Sequence, residues 1–497
     1  MNHSAVSRFI ALGLSLAVSL HAGPPPATRE PLLRTVDLNL GESAELTLSN
    51  GVKATAKLLD LQEQRDTLSH AVRVARVQVA INGESVWLTS ANYNLPVTVA
   101  GVQVDCPITQ GYNADSGEDA WGLVKAARLR LWPAGSPLME PGTFLYPLKQ
   151  RWFATMTQMA NEPTYVDGGD VPDRKKIYYH NALDFGGCES LVEVVAATDG
   201  LVVSVATKTL SGYEFTPVRP RYDVVYVLDY RGWYYRYSHL HEIDPAIKEG
   251  VPVKKGQRIG VLGKEGASGG WSHLHFGIHS RQPSGKWGTQ EAYAFAWEAW
   301  INEQHPSVIA VARPHHFIRE GESITLDGSK SWCASGKPLH YDWTFTDGST
   351  AQGATLSRRY DKAGSYSEIL KIADDAGHTA YDFAIVQVIG GSNPKLIPSA
   401  IHPSYAPSLN VKAGDAITFK VRTFRDSGDE TWDFGDHSAP VTVKSDGNAK
   451  ALAKDGYAIT QHTFTEPGDH IVRVEHTNAR GEKATAHLWV PVAKGKK

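Results

Sequence analysis

Three short strings hold the residue types that metal and proton chemistry needs. The first, Tyr178-Tyr-His-Asn-Ala-Leu-Asp-Phe-Gly-Gly187, contains an H-x-x-x-D pair, His180 and Asp184. The second, Tyr234-Tyr-Arg-Tyr-Ser-His-Leu-His241, carries His239 and His241. The third, Gly269-Gly-Trp-Ser-His-Leu-His-Phe-Gly277, contains an H-x-H pair, His273 and His275. On a strand, residues two or four apart share a face, so the first and third strings can each aim both side chains at one point. Imidazole and carboxylate are the ligands a tetrahedral zinc site prefers where thiolates are absent. Three such ligands leave a position for water, which ionises near neutral pH there. A further histidine can take or supply a proton, because its own pKa is close to neutral. The pattern points to metal-assisted hydrolysis.

The text around these strings sharpens the reading. Ala197-Thr-Asp-Gly-Leu-Val-Val203 is a turn leading into a strand, and Val224-Val-Tyr-Val-Leu-Asp229 runs into the Tyr-rich string. Val253-Lys-Lys-Gly-Gln-Arg-Ile-Gly-Val-Leu-Gly263 is a second turn and strand. In this order, the stretch from His180 to about Ile278 resembles the lysostaphin/LytM-type zinc endopeptidases, with their H-x-G-x-D, Y-x-H-L and H-x-H-F motifs. The resemblance implies an antiparallel-β peptidase domain over 151–304 that binds one zinc ion per chain. It makes His180, Asp184 and His275 the zinc ligands. It gives His239 and His273 the roles of general base and transition-state stabiliser. Its substrate class is peptide bonds, above all in bacterial cell-wall peptidoglycan. Two departures stand out: Ala182 replaces the usual Gly, and Leu210–Arg221, with Pro217 and Pro220, reads as a loop inserted beside the cleft. His241 and His279 fall on faces that can approach the site and are read by default as supporting or surface histidines.

The elements that must position these residues are mainly β, arranged in several domains. In Ala71-Val-Arg-Val-Ala-Arg-Val-Gln-Val-Ala-Ile81, Val72 and Val74 alternate with other residues, as do Val77, Val79 and Ile81. This is the period-two mark of a strand with one buried face. A slip of phase between Val74 and Val77 predicts a β-bulge. Val36–Leu40 and Glu45–Leu48 alternate as well, with Gly41 and Asn50-Gly51 as turns. Residues 30–150 therefore form a β-rich N-terminal domain without recognisable chemistry. Gln290–Ile301 is expected as a short helix. Beyond it a pattern repeats. Asp342-Trp-Thr-Phe-Thr-Asp-Gly348 is echoed by Thr431-Trp-Asp-Phe-Gly-Asp436, and each is followed by a Gly-centred turn and a strand. Internal repetition at this scale means two copies of one small domain. The copies, 305–392 and 395–494, resemble PKD-type β-sandwiches. That implies adhesion or spacing, with wall or polysaccharide binding as a role and the repeated Trp residues as core anchors.

Bulk properties set the frame. At 497 residues the chain is too long for one core. Its net charge of -3 does not favour nucleic acid, which needs a basic surface. Arg8 followed by the apolar run Phe9–Leu20 and the small residues Ala22-Gly23 reads as a secretory signal, residues 1–22. That run is shorter than the ~20 residues of a membrane span, so the mature protein is expected to be exported, periplasmic or extracellular, with no membrane span. Of the three cysteines, Cys106 and Cys188 are the expected disulfide, with three buried thiols as the alternative. Two other functions compete with the peptidase: a catalytically silent scaffold or regulator of wall hydrolases, and a surface adhesin.

Overall fold

The computed structural model describes residues 24–91, 93–116, 119–157, 177, 179–391, 397–446 and 456–495. The signal segment 1–22 lies outside them. The described chain is nearly all β, in several sheets.

Alternation builds the N-terminal module. Val72–Ile81 pairs antiparallel with Lys53–Arg65 on one edge and Glu84–Thr89 on the other. Val77, Val79 and Ile81 are fully buried, as the period-two pattern requires. The slip of phase comes earlier than expected. Gln64 faces Val74 and Arg65 faces Val72, so Arg73 is the extra residue of the bulge. Val72 and Ala75 are consequently buried, and Val74 is only half-buried. The sheet shares a core, including Leu58, Val79, Val104 and Leu129, with a second sheet of Arg34–Leu38, Ala127–Pro133, Val102–Thr109 and Val97–Val99.

The middle of the chain is a larger antiparallel sheet. Gly200–Val205, Val225–Leu228, Tyr234–Ser238, His273–Arg281 and Trp287–Gln290 lie side by side in that order. Short Leu183–Gly186 pairs with the first residues of His273–Arg281. The helix expected at Gln290–Ile301 runs Tyr293–Gln304 instead. Gln290 is committed to the edge strand, opposite Ile278, so the helix starts later. It ends where His305 takes a left-handed φ of 47° and returns its N–H to the Ile301 carbonyl. The helix is apolar around most of its circumference and is buried accordingly. Tyr146 and Trp152 pack edge-on or tilted against Trp300. The Glu298 carboxylate accepts the N–H groups of Leu138 and Met139 at 2.8 and 3.0 Å. Just ahead of the helix, Arg130 donates to the Glu291 carbonyl at 2.6 Å, which ties in the N-terminal module.

The two repeats keep their tryptophans in their cores: Trp343 and Trp432 are both 0% exposed. They do not hang as separate beads. Gly364–Ala373 of the first repeat runs parallel to Lys483–Val492 of the second, with Gly364 opposite Lys483, so the copies share one sheet. Both also grip the segment just after residue 150, the second repeat through the Trp489 carbonyl, which accepts from Arg151 at 2.5 Å. Arg313 donates to the Thr155 and Thr157 carbonyls at 2.8 and 2.9 Å, and His315 to the Met156 carbonyl at 2.7 Å.

The expected Cys106–Cys188 disulfide does not form. Cys106, Cys188 and Cys333 are free, buried thiols, and each belongs to a different hydrophobic core. Burial pushes the Cys106 thiol up to about 12 and Cys188 up to about 11, so neither offers a thiolate at neutral pH. Among the described residues no helix is long and apolar enough to cross a membrane.

Two measurements follow. Reduction should leave the intact mass unchanged, and alkylation should reach all three thiols only after denaturation. Truncating either repeat tryptophan, Trp343→Ala or Trp432→Ala, should lower unfolding free energy by about 3–5 kcal/mol, the usual cost of emptying so large a buried site; chemical denaturation measures it.

Candidate metal centre

The centre is built on the pairing of two strands. Leu183–Gly186 lies antiparallel to His273–Phe276, with Asp184 opposite His275 and Gly186 opposite His273. His273 and His275 share a face because they are two apart on one strand. Asp184 reaches that face from across the ladder. His180 arrives differently from the expectation of a strand with i and i+4 on one side: it precedes the strand, in irregular chain. Ala182 takes an ordinary negative φ, so the position needs no glycine.

Three donor atoms converge. His180 Nε2 is 3.0 Å from Asp184 Oδ1 and 3.0 Å from His275 Nδ1, and the latter two are 3.1 Å apart. All three residues are buried and can hold a metal ion. A tetrahedral zinc ion with bonds of about 2.0–2.1 Å spaces its ligands about 3.3 Å apart, so slight spreading would admit one. The electrostatics suit a cation as well. Burial alone would raise the Asp184 carboxyl, but His180 and His273 outweigh it and hold the group well below its usual range. Burial holds His275 well below the ordinary histidine value, against the opposing pull of Asp184. An ionised carboxylate beside neutral imidazole is the state that metal binding requires.

Two more histidines border the cluster. The His239 ring centroid is 4.7 Å from that of His273 and 5.8 Å from that of His275. His273 Nε2 stands 3.3 Å from Asp184 Oδ2. Backbone carbonyls orient both rings. His239 Nδ1 lies 2.6 Å from the Glu265 carbonyl, and His273 Nδ1 lies 3.0 Å from that of Trp271. A carbonyl can only accept, so each Nδ1 carries a proton, and for His239 this leaves Nε2 as the basic nitrogen. Burial, helped by Arg221 and opposed by Asp223, keeps the His239 pKa below its ordinary value.

All five histidine and aspartate residues singled out in the sequence are brought together. His241 and His279 are not among them. His241 is exposed, 3.8 Å from Glu265. His279 shares the strand face of His273 and His275 but stands further along it, over Gly277 and beside Arg236, and burial drops its pKa to about 3. The sequence reading missed Asp223 and Arg221. Asp223 Oδ2 accepts the N–H of His239 at 2.9 Å, holding that residue at a left-handed φ of 67°. Arg221 clamps Asp223 with two hydrogen bonds, at 2.5 and 2.7 Å, and its Nη2 is 3.2 Å from His239 Nδ1. Arg221 closes the loop read as an insertion. No spacing rule links Asp223 to a histidine sixteen positions later, so only the fold reveals the contact.

The sequence comparison agrees with this geometry: residues 178–286 match the model of Peptidase family M23. This segment is an M23 peptidase domain. Residues 304–388 and 404–490 match models of the PKD domain. A curated "uncharacterized metalloprotease" of Haemophilus influenzae is 27% identical over 164 residues, which is 33% of this chain. The chain thus spans only 30% of that relative's length. Among solved structures, the catalytic domain of lysostaphin from Staphylococcus simulans is 25% identical, covering 24% of this chain and 80% of the other at a TM-score of 0.19. A "putative glycyl-glycine endopeptidase lytM" from Ruminococcus gnavus is 23% identical, covering 23% and 43% at a TM-score of 0.18. The M23 domain thus combines a peptidase family's sequence with a cluster competent to hold a metal.

Titration with zinc or cobalt should find one tight site per chain. Asp184→Ala or His275→Ala should abolish it, and His239→Ala should keep it; elemental analysis and cobalt absorption read the difference.

Proposed function

We propose that this chain is an exported zinc metalloendopeptidase that hydrolyses peptide bonds in bacterial cell-wall peptidoglycan. The observation that carries the reading is the meeting of His180, Asp184 and His275 at one buried point, with His239 and His273 at its border, inside an M23 domain. In this reading the first three hold one zinc ion per chain. When bound there, zinc would supply Lewis acidity toward a peptide carbonyl and its attacking water.

The chain's own residues supply the rest. His239, neutral and with its Nε2 basic, is the general base that accepts the proton of the attacking water. The Glu265 carbonyl keeps its ring turned, and Asp223 holds its backbone. His273 stands beside the ligand carboxylate and is suited to stabilise charge that develops on the substrate oxygen. The PKD repeats, in the same reading, hold wall or polysaccharide. A silent scaffold is disfavoured by the intact ligand set, and an adhesin by the proton-handling pair beside it.

The test is digestion of defined wall peptides by the zinc-loaded full chain, with new termini identified by mass spectrometry. Cleavage should disappear with a chelator and return with zinc. His239→Ala or His273→Ala should cut kcat by about 10²–10⁴, the usual contribution of a positioned acid or base, while the bound metal stays. Cleavage that survives loss of His180 or His275 would sink the reading. Asp223→Asn should lower kcat by about tenfold, the scale of one hydrogen bond to a charged group, with KM little changed.

A further inference from the structure

We infer that the C-terminal PKD repeat forms one wall of the catalytic centre, and that Tyr457, Arg422 and Phe424 are positioning residues acting on His273. The inference rests on the peptidase reading for its kinetic consequence and on geometry alone for its structural one.

Gly270-Trp271-Ser272 is the turn that delivers the chain into the strand His273–Arg281. The repeat holds it at three places. Arg422 donates to the Gly270 carbonyl at 3.1 Å. The Tyr457 hydroxyl accepts the Ser272 N–H at 2.9 Å. Between these, the Trp271 indole lies flat on Phe424, with ring centroids 4.1 Å apart and planes 4° from parallel. The peptide groups on both sides of Trp271 and its side chain are therefore pinned by another domain. The Trp271 carbonyl is the acceptor that fixes His273 Nδ1 at 3.0 Å. Whatever moves that carbonyl turns the imidazole.

The clasp continues behind the metal ligands. The Tyr457 hydroxyl donates a hydrogen bond to His402 Nδ1 at 2.7 Å, and His402 Nε2 donates to Thr157 Oγ1 at 2.8 Å. Thr155 and Thr157 in turn fill the space over Gly186, where a Cβ would come within 1.9 Å of Thr155 Oγ1. Gly186 follows Asp184 on the ligand strand and faces His273. One relay thus runs from the turn through the repeat and back to the strand that bears a ligand. Tyr457, Arg422 and His402 are buried, as contacts that shape a site must be, whereas a tethered targeting module would need none of them.

The experiment uses the zinc-loaded full chain with Tyr457→Phe and Phe424→Leu. Each should keep one metal per chain, since no ligand is touched. Each should lower kcat by about tenfold, the effect expected of losing one buried hydrogen bond or a close contact, with KM within about twofold. Long-range ¹H–¹⁵N spectra of the histidine rings, with His273 assigned through His273→Gln, should show one Nδ1-protonated tautomer in the parent and a mixed or broadened signal in both variants. Unaltered kcat together with an unaltered His273 signal would overturn the inference. If the parent cleaves no peptide, the peptidase reading fails, and the ring spectrum alone decides the wall: an altered signal upholds it and an unaltered one rejects it. Should Phe424→Leu lower stability, Tyr457→Phe, which removes a single oxygen, decides the matter.

Discussion

Asp184 sits across the ladder from His275, and a slip of one residue in that pairing would dismantle the centre. Side chains alternate faces along a strand, so a one-residue shift would carry Asp184 to the far side and leave the histidines without a carboxylate. The pairing is short, only four rungs, and cannot secure its own register. What secures it is burial on all sides: Leu183, Phe185, Leu274 and Phe276 belong to one apolar cluster, and exposing that set would cost far more than the hydrogen bonds of the ladder.

That cluster is larger than the peptidase sheet. It takes in Trp132 from the N-terminal module, the helix Tyr293–Gln304 and Ile309 at the entry to the first repeat. The domains read from sequence as successive units are therefore successive in the chain and joined in the core. The helix after the central sheet serves as a shared wedge. Its aromatic rings on several faces make sense only with a partner on each.

Much of the centre was legible because its residues obey local rules. H-x-H on a strand puts both rings on one face, and that rule holds here. H-x-x-x-D pointed to two residues that do converge, though not by the expected geometry, since His180 lies outside the strand and is brought in by the path of the chain before it. The repeats were legible through their W-D-F echo, whose tryptophans are buried as expected. What escaped was non-local. The bulge sits at Arg73 because register depends on the partner strand. The disulfide failed because spacing says nothing about which core a cysteine enters. Asp223, Tyr457 and the two orienting carbonyls have no signature, because a hydrogen bond between distant segments leaves no periodicity behind, and a backbone carbonyl has no identity in a sequence.

The turn before His273 is clasped by residues that lie some 150 to 190 positions later in the chain. A nascent chain emerges from its N-terminus, and domains begin to fold as they appear. The strand bearing Asp184 and the H-x-H strand can therefore pair while the residues that pin Trp271 do not yet exist. Completion of the metal centre's surroundings becomes a late event in the life of each molecule, reached only when the last repeat has closed, and a chain cut short before residue 457 would carry His180, Asp184 and His275 and still lack the hydroxyl that holds Ser272.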